Sequence, residues 1–274
     1  MLPTTWNPSR EAVLVVARAA ERLGFDSLWT NSHVAIPAAF KPRYPYSETG
    51  LPAWNATTAW ADAMLTLAFA AAATERIRLG VTVVPLITTD PLTLAKQAAT
   101  LDLLSGGRFE LGIGAGWLLE EGRALGHATD HLQGRLAETL EVLRLAWTRP
   151  TVSYKGRFLR IPEVGVNPHP PQGDRLPVWI GGQGDGALRI AADGGAGLFV
   201  WLQPPERVAE YGTKLRARRT DAPLAASVWT PVTERLWDDQ IRPMEAAGVD
   251  LLVLGRRYDE NTLGELERFA TAFL

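Results

Sequence analysis

The chain contains no cysteine among its 274 residues, and this absence limits its chemistry. Disulfide bridges, thiolate-bound zinc and catalytic thiol nucleophiles are all excluded. A protein without disulfides suits a reducing compartment, so we expect it in the cytoplasm.

Long apolar runs and charge of one sign are also missing. No stretch of about eighteen apolar residues suggests a spanning helix, and the first residues lack the basic-then-apolar pattern of a signal peptide. The formal net charge is −2. We therefore expect neither a membrane nor a nucleic acid as a partner.

Signatures of metal sites and hydrolases are absent as well. The 4 histidines show no ligand spacing with one another, and no HExxH set occurs, so we expect no metal. A G-x-S-x-G nucleophile elbow is lacking too.

The sequence does contain short apolar runs that alternate with segments of helical period, which is typical of a parallel α/β fold. In the first helix, Ser9 is the expected N-cap and Gly24 the expected C-terminal stop. Strands are predicted at 26–29, 77–84, 109–113, 178–181, 198–201, 226–229 and 251–254. Helices are predicted at about 10–23, 59–73, 91–104, 130–147, 185–192, 206–219, 234–247 and 259–273.

This length and alternation predict one (β/α)8 (TIM) barrel domain over 1–274, with an insertion at about 148–177 that holds a hairpin at 152–158. The pattern supplies only seven strands, because the first helix has no strand before it. A complete barrel needs eight. Either the barrel is open at that position, or the true reading frame starts upstream of Met1.

Ligands of such a barrel bind in the loops that follow the strands. His33, just after the first predicted strand, is placed to give or take a proton, although a loop histidine bonded to backbone would give the same pattern. The glycines of 111–117 have the spacing G-x-G-x-G, which is not the dinucleotide-binding fingerprint. They would let the backbone approach a flat ring, or simply form a tight turn. The run 180–187 passes from a strand into a helix, where exposed N–H groups suit a phosphate.

Taken together, these segments resemble the luciferase-like monooxygenases, and within that family the group thought to use coenzyme F420, a 5-deazaflavin. Six runs carry the resemblance in order and with matching gaps. They are LGFDSLW (23–29) followed by His33, RIRLG (76–80), PLTLAK (91–96), TLDLLSGGRF (100–109), LGIGAGW (111–117) and PVWIGG (177–182).

The resemblance implies a flavin or deazaflavin at the C-terminal face of the barrel. It places Thr82 and Val83 under the ring, near a non-prolyl cis peptide, and makes His33 the catalytic proton-transfer residue. Gly114, Ala115 and Gly116 would border the ring or ribityl chain; Gly182, Gln183 and Gly184 would receive the phosphate; Asn31 and Gly181 complete the predicted cofactor-binding set.

Two positions depart from the family pattern. The common Ser-Asp-His motif reads Asn31-Ser32-His33 here, which removes a charged partner for the histidine. A serine of the phosphate loop is replaced by Gly184, so a hydroxyl donor is lost.

The expected function is that of an F420-dependent oxidoreductase, which transfers a hydride between the coenzyme and a small organic substrate. One alternative is an FMN-dependent monooxygenase that uses oxygen and a partner reductase; another is a non-catalytic flavin-binding barrel. The loop 31–60, with Phe40, Tyr44, Tyr46 and Trp54, is predicted to cover the site. We also expect a homodimer, as in many members of the family.

Overall fold

Parallel strands form the central sheet of the computed structural model, which describes residues 1–229, 237–255 and 258–274. The described strands are β1 (Ser27–Thr30), β2 (Arg78–Pro85), β3 (Phe109–Gly114), β4 (Val152–Lys155), β5 (Arg160–Val164), β6 (Val178–Gly181), β7 (Gly197–Val200), β8 (Leu224–Trp229) and β9 (Leu251–Gly255). Seven of them pair in the order β1-β2-β3-β6-β7-β8-β9, whereas β4 and β5 form a separate antiparallel hairpin.

Helices alternate with these strands along the chain. The described α-helices are α1 (Arg10–Leu23), α2 (Ala63–Ala71), α3 (Pro91–Ser105), α4 (Leu119–Ala124), α5 (Leu132–Thr148), α6 (Asp185–Asp193), α7 (Pro205–Arg218), α8 (Arg242–Ala246) and α9 (Thr262–Phe273). A π-helical segment, Trp237–Ile241, precedes α8. None of the described helices is long and apolar enough to cross a bilayer.

Local sequence signals determine where several helices begin and end. Ser9 caps α1 by accepting from the backbone N–H of Ala12 at 3.0 Å, and Gly24 ends it with φ 89°. Asp90 caps α3 through two backbone N–H groups, with Pro91 at the first helical position. These features confirm the predicted start and stop of the first helix and the predicted start at Pro91.

The interior of the barrel is filled by aromatic rings that pack over glycines. Trp29 packs edge-on against Trp179, with ring centroids 6.4 Å apart, in a cluster of buried residues that also includes Phe199. A Cβ atom on Gly80 would lie 2.5 Å from the Trp29 ring, and one on Gly197 would lie 2.4 Å from the Trp179 ring. Only glycine leaves room for the two indoles, so the barrel is a packed core.

Two predicted boundaries were wrong and one lies partly outside the described residues. The second helix begins at Ala63, four positions later than predicted, because Asp62 caps it. The hairpin extends past 158 to Val164. The helix predicted at 234–247 overlaps positions outside the described ranges, and its described part consists of the π-helical segment and α8.

The seam of the barrel lies between β1 and β9, which are the two ends of the strand order. There the Met1 amino group donates to the Leu254 carbonyl oxygen at 2.8 Å, and the Leu2 amide donates to the Trp29 carbonyl oxygen at 2.8 Å. The seven-stranded sheet confirms the prediction of an α/β barrel without its first strand.

Candidate active site

A cavity of about 280 Å³ opens at the carboxyl ends of the barrel strands, where ligands bind in this architecture. It brings together predicted residues from four strand ends. The predicted residues that line it are Asn31, His33, Thr82, Val83, Gly114, Ala115, Gly116, Gly181, Gly182 and Gln183. Gly184 is not among the lining residues and instead is the N-cap of α6. Their roles toward a cofactor remain predictions.

His33 lines this cavity and is bonded to the buried carboxylate of Glu121, which is not itself among the lining residues. The Nδ1 atom of His33 lies 2.7 Å from Oε2 of Glu121. The backbone N–H groups of Val34 and Ala35 donate to the other carboxylate oxygen at 2.7 and 3.0 Å. The Glu121 side chain is 0% exposed and that of His33 is 11% exposed, so both are held in place.

This contact determines the tautomer of the histidine. A carboxylate oxygen accepts hydrogen bonds, so the hydrogen sits on Nδ1 of His33 and the Nε2 lone pair is left for a molecule in the cavity. His33 thus has a carboxylate partner, although Ser32 beside it carries no acid; that partner is Glu121, which is 88 positions away along the chain.

The short helix α4 holds the loop that covers the cavity. Its Glu120 accepts from Nη2 of Arg43 with both oxygens, each at 2.7 Å, and from the Lys41 amide at 3.3 Å. Glu121, next along the helix, binds the start of the same loop. Two adjacent carboxylates thus fix both ends of the segment from 33 to 43.

Aromatic rings enclose His33 on several sides. Its imidazole centroid lies 4.8 Å from the ring of Trp54, 4.8 Å from Trp60 and 6.4 Å from Trp117. Tyr44 closes the wall with its ring 5.1 Å from that of Trp117. These rings exclude water from the histidine and offer flat apolar surfaces to a ligand.

The phenol groups on this wall are neutral donors. Burial raises the pKa of the Tyr44 hydroxyl above its ordinary value, although a hydrogen bond with Trp201 opposes the shift. Burial also raises the pKa of Tyr46, with smaller contributions in the same direction from Tyr44 and Tyr211. Both side chains therefore stay protonated well above neutral pH.

Val83 forms the floor of the cavity. The Thr82–Val83 peptide bond is cis, and the pairing of β2 with β3 shifts register between Val81 and Val84. A Cβ atom on Gly114 would lie 2.8 Å from the Val83 side chain, and one on Gly181 would lie 2.6 Å from it. Two glycines of the predicted cofactor set are therefore required for packing around Val83.

The loop before α6 contributes Gly182 and Gln183 to the cavity lining, and Gly184 follows them at the start of the helix. Gly184 caps the helix without a side-chain hydrogen bond, and a Cβ atom there would meet nothing within 4 Å. The side-chain Nε2 of Gln183 donates to the backbone carbonyl oxygen of Trp201 at 2.8 Å, and the backbone carbonyl oxygen of Gln183 accepts from the Tyr211 hydroxyl at 2.6 Å. The Gln183 side chain thus braces the loop, and the free space lies at Gly184.

Carboxylate, ammonium and guanidinium side chains are not part of the described lining. None of its residues is Lys, Arg, Asp or Glu. Within the described ranges, no cluster of three or more His, Cys, Asp and Glu side chains could hold a metal ion.

Sequence reasoning missed several residues of the site. Glu121 gave no signal because it lies on a helix of 6 residues without a side-chain cap, far along the chain from His33. Gln133, on α5, also lines the cavity. Phe199, in β7, and Trp201, directly after that strand, line the cavity as well. The position of these two aromatic residues at a strand end is the signal that could have found them.

Comparison with known proteins shows the family to which the chain belongs. Residues 3–235 match the model of the luciferase-like monooxygenases. An uncharacterized protein of Mycobacterium tuberculosis is 35% identical over 169 residues, which are 61% of this chain and 59% of that protein. The F420-dependent glucose-6-phosphate dehydrogenase of Amycolatopsis mediterranei is 31% identical over 185 residues, 66% of this chain and 50% of the dehydrogenase. The matched region thus spans only 59% and 50% of these relatives' lengths.

Solved structures share the fold over nearly the whole chain. An F420-dependent secondary alcohol dehydrogenase, in complex with an F420-acetone adduct, superposes with a TM-score of 0.75 at 19% identity, over 97% of this chain and 94% of the other. The oxygenating constituent of 3,6-diketocamphane monooxygenase from Pseudomonas putida, in complex with FMN, gives 0.69 at 15% identity, over 98% and 94%. At these identities the likeness shows the fold alone.

Proposed function

Because the chain belongs to the luciferase-like monooxygenase family, whose members are flavin- or F420-dependent oxidoreductases, we propose that it uses F420 to interconvert a small neutral secondary alcohol and its ketone. The observation that carries the proposal is the buried His33–Glu121 pair inside a ring-lined cavity. The F420-dependent dehydrogenases among its relatives and structural neighbours support the choice of coenzyme.

The residues of the cavity fit a deazaflavin. Val83 and several aromatic side chains line the same cavity and offer apolar surface to a flat ring system. The open N-terminus of α6 at Gly184 suits a phosphate, since its N–H groups have no side-chain cap. A bound deazaflavin supplies the hydride acceptor or donor for the reaction.

His33 supplies the proton chemistry. With hydrogen on Nδ1, its Nε2 accepts the hydroxyl proton of an alcohol as the carbinol C–H bond breaks, and it returns a proton to the carbonyl oxygen in the reverse direction. Glu121 is the positioning residue, because it sets the tautomer and stabilises the imidazolium that forms. The surrounding rings keep water from competing for that proton.

The cavity favours a neutral, apolar substrate. Its wall consists of indole and phenol rings, and its described lining includes no Lys or Arg to bind a phosphoryl group. A substrate such as glucose 6-phosphate, named for one relative, would therefore lack a counter-charge among these residues. An aryl or branched secondary alcohol matches the surfaces instead.

The choice of coenzyme is tested by titration. We expect the purified protein to bind F420 with a dissociation constant in the micromolar range or below, and FMN more weakly. Protein that binds FMN well and F420 not at all would instead support the FMN-dependent monooxygenase, which needs oxygen and a reductase. The intact His33–Glu121 pair speaks against a non-catalytic barrel.

The choice of substrate is tested by anaerobic turnover. We expect F420 to be reduced with neutral aryl secondary alcohols at a kcat/KM at least tenfold above that with glucose 6-phosphate. A preference for the sugar phosphate would overturn the proposed substrate class. His33→Ala should retain F420 binding and lose turnover, whereas Arg22→Gln, which alters only the exposed pair with Glu267, should change turnover little.

A further inference from the structure

A hydroxyl group without a hydrogen-bond partner lies in the wall of the active-site cavity. Tyr46 lines that cavity, and its phenol oxygen makes no hydrogen bond to any other residue in the described ranges. This oxygen is not sealed inside the protein, so it opens into the cavity. Burial raises the pKa of the hydroxyl strongly, which places it deep in the wall and keeps it protonated. The cavity therefore contains a neutral donor that is left for a ligand.

The two phenols close to Tyr46 are, by contrast, already used within the protein. The Tyr211 hydroxyl donates to the backbone carbonyl oxygen of Gln183 at 2.6 Å. Tyr44, whose ring centroid lies 5.2 Å from that of Tyr46, has a hydrogen bond with Trp201. A wall that only had to offer apolar surface would be better served by phenylalanine at position 46, because an unused hydroxyl in a buried place costs desolvation free energy.

Tyr46 and His33 belong to opposite sides of the barrel mouth. His33 follows β1, whereas the Tyr46 ring packs on Trp201, at 6.4 Å between centroids, and Trp201 directly follows β7. In the sheet order β1-β2-β3-β6-β7 these two strands are four steps apart, which is about half of the way round an eight-stranded barrel. A molecule whose one end is bonded to His33 can therefore meet Tyr46 only with its other end.

The covering loop holds Tyr46 in place before any ligand binds. The backbone N–H of Tyr44 donates to the carbonyl oxygen of Gly50 at 2.7 Å, which closes a turn around Tyr46. Arg43 ties the start of this turn to Glu120 on α4, with a nitrogen–oxygen distance of 2.7 Å. A donor that is already positioned costs little conformational entropy when it binds, so it can discriminate between ligands.

The rest of the lining limits what the far end of a substrate can carry. Because none of the described lining residues is Lys, Arg, Asp or Glu, a carboxylate, phosphate or ammonium group would be buried there without a counter-charge. A purely hydrocarbon end would leave the Tyr46 hydroxyl desolvated and unpaired. A neutral oxygen acceptor, such as an ester or amide carbonyl, satisfies the hydroxyl without introducing a charge.

We propose that Tyr46 is a specificity-determining residue, and that the substrate is a secondary alcohol with a second, neutral acceptor oxygen at the end remote from its carbinol carbon. The Tyr46 hydroxyl donates to that oxygen while His33 accepts the proton of the carbinol hydroxyl. The inference rests on the proposed function for the position of the carbinol group at His33. A site built to hydrogen-bond one substrate oxygen rejects an analogue that lacks it, because the protein group is then left unpaired.

The test compares two ligands of the same shape in two proteins. One ligand is a 1-arylethanol with a methyl ester at the meta or para position of the ring; in the other, a CH2 group replaces each of the two ester oxygens. Their dissociation constants are measured by titration calorimetry for the parent and for Tyr46→Phe, with and without F420. We expect Tyr46→Phe to weaken binding of the ester roughly three- to tenfold, which corresponds to one neutral hydrogen bond, and to leave the hydrocarbon analogue within about twofold.

Tyr154→Phe is the matched control. The Tyr154 hydroxyl donates to Glu141 at 2.7 Å, and neither residue lines the cavity, so its removal should change neither dissociation constant. The midpoint of thermal unfolding of Tyr46→Phe should equal that of the parent, because no internal hydrogen bond is lost. A clearly lower midpoint would show that the hydroxyl has a partner within the protein and would overturn the proposal.

Three binding results would also overturn it. The first is the same change, or no change, for both ligands in Tyr46→Phe. The second is a loss of F420 affinity without discrimination between the ligands, which would assign the hydroxyl to the coenzyme. The third is the absence of saturable binding of either alcohol to the parent. Ester-selective loss of binding in a protein that does not reduce F420 would instead refute the proposed dehydrogenase reaction and uphold the role of Tyr46.

Discussion

Replacing Glu121 with Gln distinguishes two roles of this residue: orienting the His33 imidazole and holding the backbone of the loop. The Glu121 carboxylate accepts three hydrogen bonds, from His33 Nδ1 and from the N–H groups of Val34 and Ala35. In Glu121→Gln, the amide oxygen can still accept from the two backbone groups. The amide nitrogen then faces Nδ1 as a donor, so the hydrogen moves to Nε2 and the proton acceptor in the cavity is lost.

The expected magnitudes follow from those three bonds. Loss of a positioned general base typically costs about 10²- to 10⁴-fold in rate, so kcat of Glu121→Gln should fall by that factor with a small change in KM. Glu121→Ala should instead destabilise the fold. It removes the acceptor of the Val34 and Ala35 N–H groups, which belong to an exposed and a half-buried residue, at about 0.5–1.5 kcal/mol for each hydrogen bond, or roughly 1–3 kcal/mol together.

The assay is anaerobic reduction of F420 with a neutral secondary alcohol, together with denaturant unfolding of each variant. Glu120→Gln is the matched control, because it changes the neighbouring carboxylate whose partners are Arg43 and Lys41. Its kcat should stay within about threefold of the parent. A Glu121→Gln variant that keeps its fold and turns over within twofold of the parent would refute the positioning role.

Further substitutions test other parts of the molecule. Gly181→Ala should lower the free energy of unfolding by about 1–3 kcal/mol, because its Cβ would lie 2.6 Å from the Val83 side chain. Gly184→Ser should change the free energy of unfolding by no more than about 0.5 kcal/mol and should tighten F420 binding. Equal losses of unfolding free energy for the two variants in urea would contradict this. Trp201→Leu should raise KM for aryl alcohols several-fold and leave kcat near that of the parent, as steady-state kinetics would show. Burial would raise the pKa of Glu21, but hydrogen bonds from the backbone N–H groups just before β2 outweigh it and lower the pKa below its ordinary value, so the ionised form stabilises the fold at neutral pH. Glu21→Gln should therefore lower the melting temperature at pH 7, and the deficit should vanish as the pH falls through the lowered pKa; a deficit independent of pH would exclude the carboxylate.

Much of the fold follows from local patterns. Caps such as Ser9 and Asp90 act within three or four residues, so the sequence shows where their helices begin. The apolar runs of the barrel strands are equally local, because both faces of a parallel strand are buried. The seven barrel strands and the gap at the N-terminal seam can therefore be predicted from the order of the residues alone.

The site itself is predictable only in part. Strand-end loops are expected to meet because parallel strands carry them to one face. The partner of His33 cannot be predicted in this way, because Glu121 is 88 positions away and the short helix that carries it has no cap signal. Nor can the sequence decide between ligand approach and tight packing for Gly114 and Gly181. The bulge that turns Val83 toward them is a tertiary feature of β2 and β3.

The most direct test of the central claim is a single anaerobic turnover with a secondary alcohol that carries deuterium at the carbinol carbon. The account predicts that the parent reduces F420 without oxygen, that the deuterium appears in the reduced coenzyme, and that His33→Ala binds F420 but forms no product. Product formation that requires oxygen and FMN, or undiminished turnover by His33→Ala, would contradict it.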